Sequence, residues 1–99
     1  MDANGYPTRG ELKRIKAWDA IKDVHGLIEY IREMWRYSDC FRWDAGTEML
    51  ELHTAGWSGN EDIIRALERN AMFWALYWLR SERGGHYWFV IREVNDGRD

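Results

Sequence analysis

The spacing of apolar residues in the first third of the chain is helical. Thr8 and Glu11 form a Ser/Thr-x-x-Glu pattern, which predicts a capping box and a short helix over about residues 9–18. Asp23 is a predicted N-cap, and the apolar residues after it recur at intervals of three and four positions. This spacing predicts a second helix, with one apolar face, that ends near Tyr37. The residues of that face are Val24, Leu27, Ile28, Ile31, Met34 and Trp35.

After residue 40 the apolar residues alternate with polar ones. "FRWDAG" places Phe41 and Trp43 on one side, and "TEMLELHT" places Leu50 and Leu52 opposite to Glu51 and His53. Alternation of this kind is typical of strands, and Gly46 lies where a turn between them is expected. The sequence therefore predicts a first hairpin.

The second half of the chain predicts one helix and a second hairpin. Helical spacing returns over about residues 60–70, and Asn70 is a predicted C-terminal cap. "MFWALYWLR" and "HYWFVIR" are apolar at nearly every position, and "SERGG" separates them. We interpret these segments as two strands, buried on both faces and joined by a tight loop.

The predicted order of elements is α-α-β-β-α-β-β. It predicts an α+β fold in which two hairpins form a four-stranded antiparallel sheet in one layer and the helices cover one face. The chain is expected to form a single domain over residues 1–99, with flexible ends at 1–6 and 94–99. Because the other face of the sheet would still carry apolar and aromatic side chains, a homodimer is expected.

Composition narrows the expected environment and partners. The 99 residues are 45% hydrophobic and 31% charged, with a net charge of −3. Lys and Arg do not form a dense basic block, so binding to long nucleic acid is not expected. No apolar run approaches the about 20 residues that cross a bilayer, so no membrane partner is expected. A single cysteine suits a reducing compartment, and we predict a cytoplasmic protein in the host cell. Seven Trp and five Tyr indicate a ligand site or an interface rich in aromatic residues.

The junction "HTAGWSGNE" allows two interpretations. Ser58 and Glu61 fit a second capping box, which needs no ligand. Alternatively, Gly59 lets another group approach the start of the helix, where unpaired N–H groups favour an anion. Glu61 opposes this second interpretation unless its carboxylate is turned aside or bonded to ligand hydroxyls.

The loop "SERGGHY" is equally open to two interpretations. Gly84 and Gly85 suit a hairpin turn with Arg83 in solvent. In the functional interpretation Arg83 pairs with a phosphate or carboxylate, while the glycine amides, His86 and Tyr87 add further polar groups. Antiparallel pairing could bring His53 close to His86 or Arg83.

Metal and enzyme chemistry receive less support. His25, His53, His86 and Cys40 lack the spacing of a zinc site, and we expect neither metal nor cofactor. A hydrolytic site built from Asp44, Arg83 and His86 is conceivable, but no phosphate-binding loop, nucleophile elbow or HExxH motif is present.

The segments "LHTAGWSGNEDIIRALERNAMFW" and "YWLRSERGGHYWF" resemble a group of small uncharacterised proteins encoded by phages and prophages. The group pattern has H-T-G-G-W-S-G-N-E after a strand, then M-F-W and S-x-R-G-G-H-Y, and this chain has Ala55 where the group has glycine. The resemblance covers about residues 50–89 and implies a phage or prophage origin, but no activity. Its motif positions here are His53, Thr54, Gly56, Trp57, Ser58, Gly59, Asn60, Glu61, Ser81, Arg83, Gly84, Gly85, His86 and Tyr87.

Three functions are consistent with these features. The leading prediction is a non-enzymatic binding protein that holds a small anionic, nucleotide-like ligand and serves as a sink for a host signal or against host defence. The alternatives are an inhibitor that binds a host defence or regulatory protein, and a small hydrolase. The predicted ligand-binding residues are His53, Trp57, Ser58, Gly59, Asn60, Glu61, Arg83, Gly84, Gly85, His86 and Tyr87.

Overall fold

A computed structural model describes residues 1–92 and contains four α-helices and four strands in that range. The predicted flexible segment 94–99 lies outside the described residues. In chain order the elements are α1 (Arg9–Ala17), α2 (Val24–Met34), a 3₁₀ turn (Ser38–Cys40), β1 (Phe41–Asp44), β2 (Met49–His53), α3 (Ser58–Glu68), α4 (Ala71–Tyr77), β3 (Trp78–Glu82) and β4 (His86–Val90).

The four strands form one antiparallel sheet in the order β1-β2-β4-β3, which confirms the predicted α+β fold. Alternation along the strands separates two faces of this sheet. Leu50, Leu52 and Phe89 are buried in the common core with the helices, whereas Glu51 and Trp88 lie on the opposite face and are half-buried. We call that opposite side the open face.

The first two helices begin where the sequence predicts. The Thr8 hydroxyl accepts a hydrogen bond from the Glu11 amide at 3.1 Å, and the Glu11 carboxylate accepts one from the Thr8 amide at 2.8 Å. The Asp23 carboxylate caps α2 by accepting from the amide of Gly26 at 3.0 Å. Both caps satisfy N–H groups that have no partner within the helix.

The prediction that "MFWALYWLR" is a single strand is wrong, because its first part forms α4. The Asn70 side chain accepts a hydrogen bond from the Phe73 amide at 3.0 Å and so starts a new helix. Phe73 and Tyr77, four positions apart, then both lie in the core. Only residues 78–82 continue as β3, and every residue of that strand is exposed, so the predicted burial of both faces is also wrong there.

The predicted role of Asn70 as a C-terminal cap of α3 is likewise corrected. The C-cap of α3 is Arg69, and Asn70 caps the N-terminus of α4. Its side-chain amide also donates to the carbonyl of Ile15 at 2.9 Å and to that of Trp18 at 3.0 Å. A buried residue between two helices therefore also holds the end of α1.

Residues 1–6 form a turn against the start of α1. The amides of Asn4 and Tyr6 donate to the Asp2 carboxylate, both at 2.9 Å, and the Met1 ammonium lies 2.6 Å from the Glu11 carboxylate. Over residues 1–92, none of the helices has the length and apolar character needed to cross a bilayer.

Candidate functional site

The two glycine-containing segments meet at one end of the sheet because β2 lies beside β4. His53 is directly opposite His86 in the register, and the Thr54 amide donates to the Gly85 carbonyl at 2.9 Å. The contact is close, since a Cβ at Gly85 would collide with the Thr54 hydroxyl. Glycine at position 85 thus allows the hairpin turn to lie directly on the end of β2.

A chain of hydrogen bonds joins three side chains on the open face. The Glu51 carboxylate lies 2.6 Å from Nε2 of His53, and Nδ1 of His53 lies 2.7 Å from Nδ1 of His86. The side chains of Glu51 and His53 are 26% and 22% exposed, so water screens this chain only in part. The arrangement links an acid and two imidazoles across two neighbouring strands.

An aromatic and a cationic side chain lie beside this row of hydrogen bonds. The edge of the His53 ring contacts Trp88 at a centroid distance of 5.9 Å, and the guanidinium of Arg80 lies 4.1 Å from the centroid of the Trp88 ring. Arg80 also pairs with Glu82 at 3.0 Å. Glu82 is directly opposite His86 in the register, and the turn after it carries the exposed Arg83.

The prediction of a capping box at the start of α3 is wrong. Trp57 is the N-cap and no side chain bonds the free amides there, so Ser58 is the first helical residue and is exposed. Glu61 does not return to the Ser58 amide and instead lines a groove between α3 and the start of β4. The turn at Ala55 and Gly56, both with positive φ, leads the chain into the helix one residue earlier than the pattern predicts.

Trp57 is held by neighbours in its own chain. Its ring stacks on Tyr6 at a centroid distance of 4.8 Å, and the Arg36 guanidinium lies 4.4 Å from the ring centroid. The ring also covers Gly59, where a Cβ would collide with it. The group that approaches the backbone at Gly59 is therefore this indole, so the structure provides no open helix start for a ligand at that point.

Asn60 is engaged in the same way. Its side chain is fully buried, accepts a hydrogen bond from the Arg36 amide at 3.0 Å and donates to the Arg36 carbonyl at 3.1 Å and to the Thr54 carbonyl at 3.3 Å. These bonds fix the segment after α2 and the end of β2 to α3. The contacts of Asn60 are structural, in contrast to its predicted role as a ligand-binding residue.

A groove of about 440 Å³ lies where α3 faces the start of β4. Burial, and then the carboxylates of Glu68 and Glu61, raise the pKa of the Tyr87 hydroxyl above its ordinary value, while Arg65 opposes them. Arg65 is itself paired with Asp62 at 2.7 Å. The groove is thus acidic and suits hydroxyl or amino groups that donate hydrogen bonds. Its lining residues are Thr54, Glu61, Ile64, Arg65, Glu68, Gly85 and Tyr87.

The structure adds Glu51, Arg80 and Trp88 to the predicted site. Glu51 could have been predicted, because the alternation along β2 places it on the same face as His53. Arg80 and Trp88 could not be placed beside them, because their position depends on the strand order and on an irregular register near Trp78.

The proposed set Asp44, Arg83 and His86 is not brought together. Asp44 pairs with Met49 at one end of β2, and His86 pairs with His53 at the other, about 13 Å along the strand. The Asp44 carboxylate instead accepts from the amides of Gly46 and Thr47 in the β1–β2 turn. A hydrolase would need another acid, and among residues 1–92 no group of three or more His, Cys, Asp or Glu side chains is placed to hold a metal.

Comparison with protein-family models, curated proteins and solved structures gives no match for this chain.

Proposed function

We propose that this chain is a non-enzymatic binding protein for a small anionic, nucleotide-like ligand. The observation that supports this best is the 2.7 Å contact between His53 and His86, which joins the two segments that carry most of the candidate residues. The ligand would lie at the hairpin turn, where Gly85 also lines the acidic groove.

The two sides of this turn suit different parts of such a ligand. The anionic group would pair with Arg83, with the amides of Gly84 and Gly85 and with His86, since a guanidinium binds phosphate through two hydrogen bonds. Hydroxyl or amino groups would reach the Glu61 carboxylate in the groove. Trp57 and Asn60 position this end of the sheet and do not contact the ligand in this proposal.

The phage resemblance favours a role against the host for such a protein. A small chain that sequesters a host signalling nucleotide needs only affinity and no turnover. This fits a site in which no hydroxyl or thiol of residues 1–92 is hydrogen-bonded to His86.

Thermal unfolding against a panel of nucleotides tests the proposal. A ligand at 100 times its Kd stabilises the folded state by about 2.7 kcal/mol, which raises the Tm of a domain this size by roughly 10–20 °C. Arg83→Ala should abolish the shift while leaving the Tm of the free protein nearly unchanged. Arg9→Ala removes an exposed arginine in the helix layer and should retain the shift.

The proposal is wrong if no nucleotide raises the Tm, or if Arg83→Ala binds as tightly as the parent chain. Unfolding of the Arg83→Ala variant would show that this side chain is structural.

The alternative, an inhibitor that binds a host protein, is favoured by one exposed apolar surface. It is formed by α4 and the edge strand β3, where Leu76 is 43% exposed and Leu79 is 47% exposed. Within residues 1–92 the outer edge of β3 has no neighbouring strand, so its amides and carbonyls are open to strand addition by a partner. Co-purification of a host protein that Leu79→Lys abolishes, with no nucleotide shift, would support this function. The exposed apolar residues here are Met72, Leu76, Trp78 and Leu79.

A further inference from the structure

The hydrogen-bond chain on the open face determines where the protons of its two imidazoles lie. An ionised carboxylate can only accept, so Glu51 requires a proton on Nε2 of His53. When His53 is neutral, its Nδ1 then carries no proton and must accept from Nδ1–H of His86. Neutral His86 is thereby left with an unprotonated Nε2, which is a hydrogen-bond acceptor.

One added proton changes Nε2 of His86 from an acceptor into a donor. If it resides on His53, the Nδ1–H of His53 donates to Nδ1 of His86, and neutral His86 carries its proton on Nε2. If it resides on His86, both nitrogens of that ring are protonated. In either case Nε2 of His86 becomes a donor, and the 2.7 Å contact is retained with one shared proton.

We propose that Glu51, His53 and His86 act as one proton-accepting unit that decides whether His86 offers a ligand an acceptor or a donor. With the proton bound, the unit favours an oxyanion such as a phosphate group. Without it, the unit favours a neutral group that donates. Glu51 and His53 are positioning residues, because they act on the ligand through His86. The statement about the ligand rests on the proposed function, whereas the arrangement of protons does not.

The other charged groups near the pair are occupied or lie on a different strand. Glu82 is opposite His86 in the register, but Arg80 holds its carboxylate at 3.0 Å. Arg42 of β1 is opposite Glu51, and Arg83 follows in the turn. Of these groups, Glu51 is the one that bonds the histidine pair directly. It therefore determines which nitrogen donates and which accepts in each hydrogen bond.

Nuclear magnetic resonance of the ¹⁵N-labelled protein tests this arrangement without a ligand. Long-range ¹H–¹⁵N correlations show which ring nitrogen of each histidine carries a proton. Above the pH range in which histidine titrates, His86 should have a protonated Nδ1 and an unprotonated Nε2. Uptake of the first proton should change the signals of both rings together, because the two imidazoles share it.

Two variants separate this proposal from simple exposure of the rings. Glu51→Ala removes the acceptor that orients His53, so His86 should shift toward the form protonated on Nε2. Glu82→Ala removes the carboxylate directly opposite His86 in the register, which is bonded to Arg80, and His86 should keep the parent form. The backbone amide spectrum of each variant verifies that it is folded.

The proposal is overturned if His86 carries its proton on Nε2 at high pH, if the two rings titrate independently, or if Glu51→Ala and Glu82→Ala behave alike. Inorganic phosphate is then added to the parent protein at both ends of the titration. It should shift the His86 and Gly85 signals more strongly at the lower pH, where His86 adds a donor to those of Arg83 and the glycine amides. Equal shifts at both pH values would contradict control of this site by His86. No shift at either pH, with the protons arranged as described, overturns the proposed anion site but not the proton unit.

Discussion

At the scale of single residues, Ala55 adopts a backbone conformation that favours glycine. Its φ is +55°, and the following Gly56 has a φ of +74°. A Cβ in this left-handed region is disfavoured. The turn that leads into α3 therefore contains local strain that this sequence has not removed.

Ala55→Gly should stabilise the domain by about 0.5–1 kcal/mol, because relief of this strain exceeds the added flexibility of the unfolded chain. Gly56→Ala is the matched control in the same turn. It should destabilise by about 1 kcal/mol, although its Cβ would meet no atom within 4 Å. Urea unfolding of both variants measures these differences. Equal effects of the same sign would contradict the assignment to backbone strain.

Residue type alone could not separate the ligand candidates from the structural residues. Asn60 and Trp57 are polar and aromatic residues in a glycine-containing loop, and both suit a ligand. In the structure Asn60 bonds the backbone of Arg36, and Trp57 stacks on Tyr6. An amide or an indole satisfies its partners equally well inside its own chain, and those partners lie too far away in sequence to be anticipated.

At the scale of secondary-structure elements, the same Ser/Thr-x-x-Glu pattern has two outcomes. At Thr8 both hydrogen bonds of the capping box form, whereas Ser58 lies inside the helix and caps nothing. The difference arises because the turn before α3 makes Trp57 the N-cap. A local pattern predicts a helix start well, but its exact residue depends on the turn that precedes it.

Thr8→Ala should destabilise the domain by about 1 kcal/mol, the usual contribution of an N-cap side chain. Ser58→Ala should change stability by less than about 0.5 kcal/mol, because an exposed residue without a specific contact contributes little. Chemical unfolding followed by circular dichroism gives both values. A larger loss for Ser58→Ala than for Thr8→Ala would show that Ser58 caps α3 in solution.

The boundary between α4 and β3 could not be predicted for a related reason. "MFWALYWLR" is apolar throughout, so neither helical nor alternating spacing dominates. The choice is made by Asn70, which caps α4 while it bonds the end of α1. The contact with the end of α1 spans 55 positions in the sequence, so local spacing cannot predict it.

At the scale of the whole molecule, buried polar groups fasten the N-terminal helices to the rest of the domain. Asn70 donates to the carbonyls of Ile15 and Trp18, and the Tyr77 hydroxyl donates to that of Ala20 at 3.1 Å. These carbonyls end α1 or follow it, and that of Ile15 also accepts a hydrogen bond from the Trp18 amide at 3.3 Å. The α1 segment should therefore unfold together with the core.

Asn70→Ser tests this coupling. Serine can still cap α4 but cannot reach both carbonyls, and the lost bonds should destabilise the domain by about 2–3 kcal/mol. Amide hydrogen exchange should show that α1 loses more protection than α3. Uniform loss of protection in both helices would contradict the selective role of Asn70.

The layer arrangement was predictable from spacing alone, but the neighbour relationships within the sheet were not. Two hairpins can join through any of their edges, and the sequence does not say which. The order β1-β2-β4-β3 is what places His53 against His86 and leaves β3 at the border. The composition of the candidate site thus follows from a single choice of strand order.

That border strand has a consequence for any solution of this protein at high concentration. The exposed amides and carbonyls of an edge strand can pair with an extended peptide, including a partly unfolded copy of the same chain. Arg80 and Glu82 lie on this strand, and charged side chains on an edge strand oppose such pairing. We therefore expect these two charges to help keep the protein soluble at high concentration.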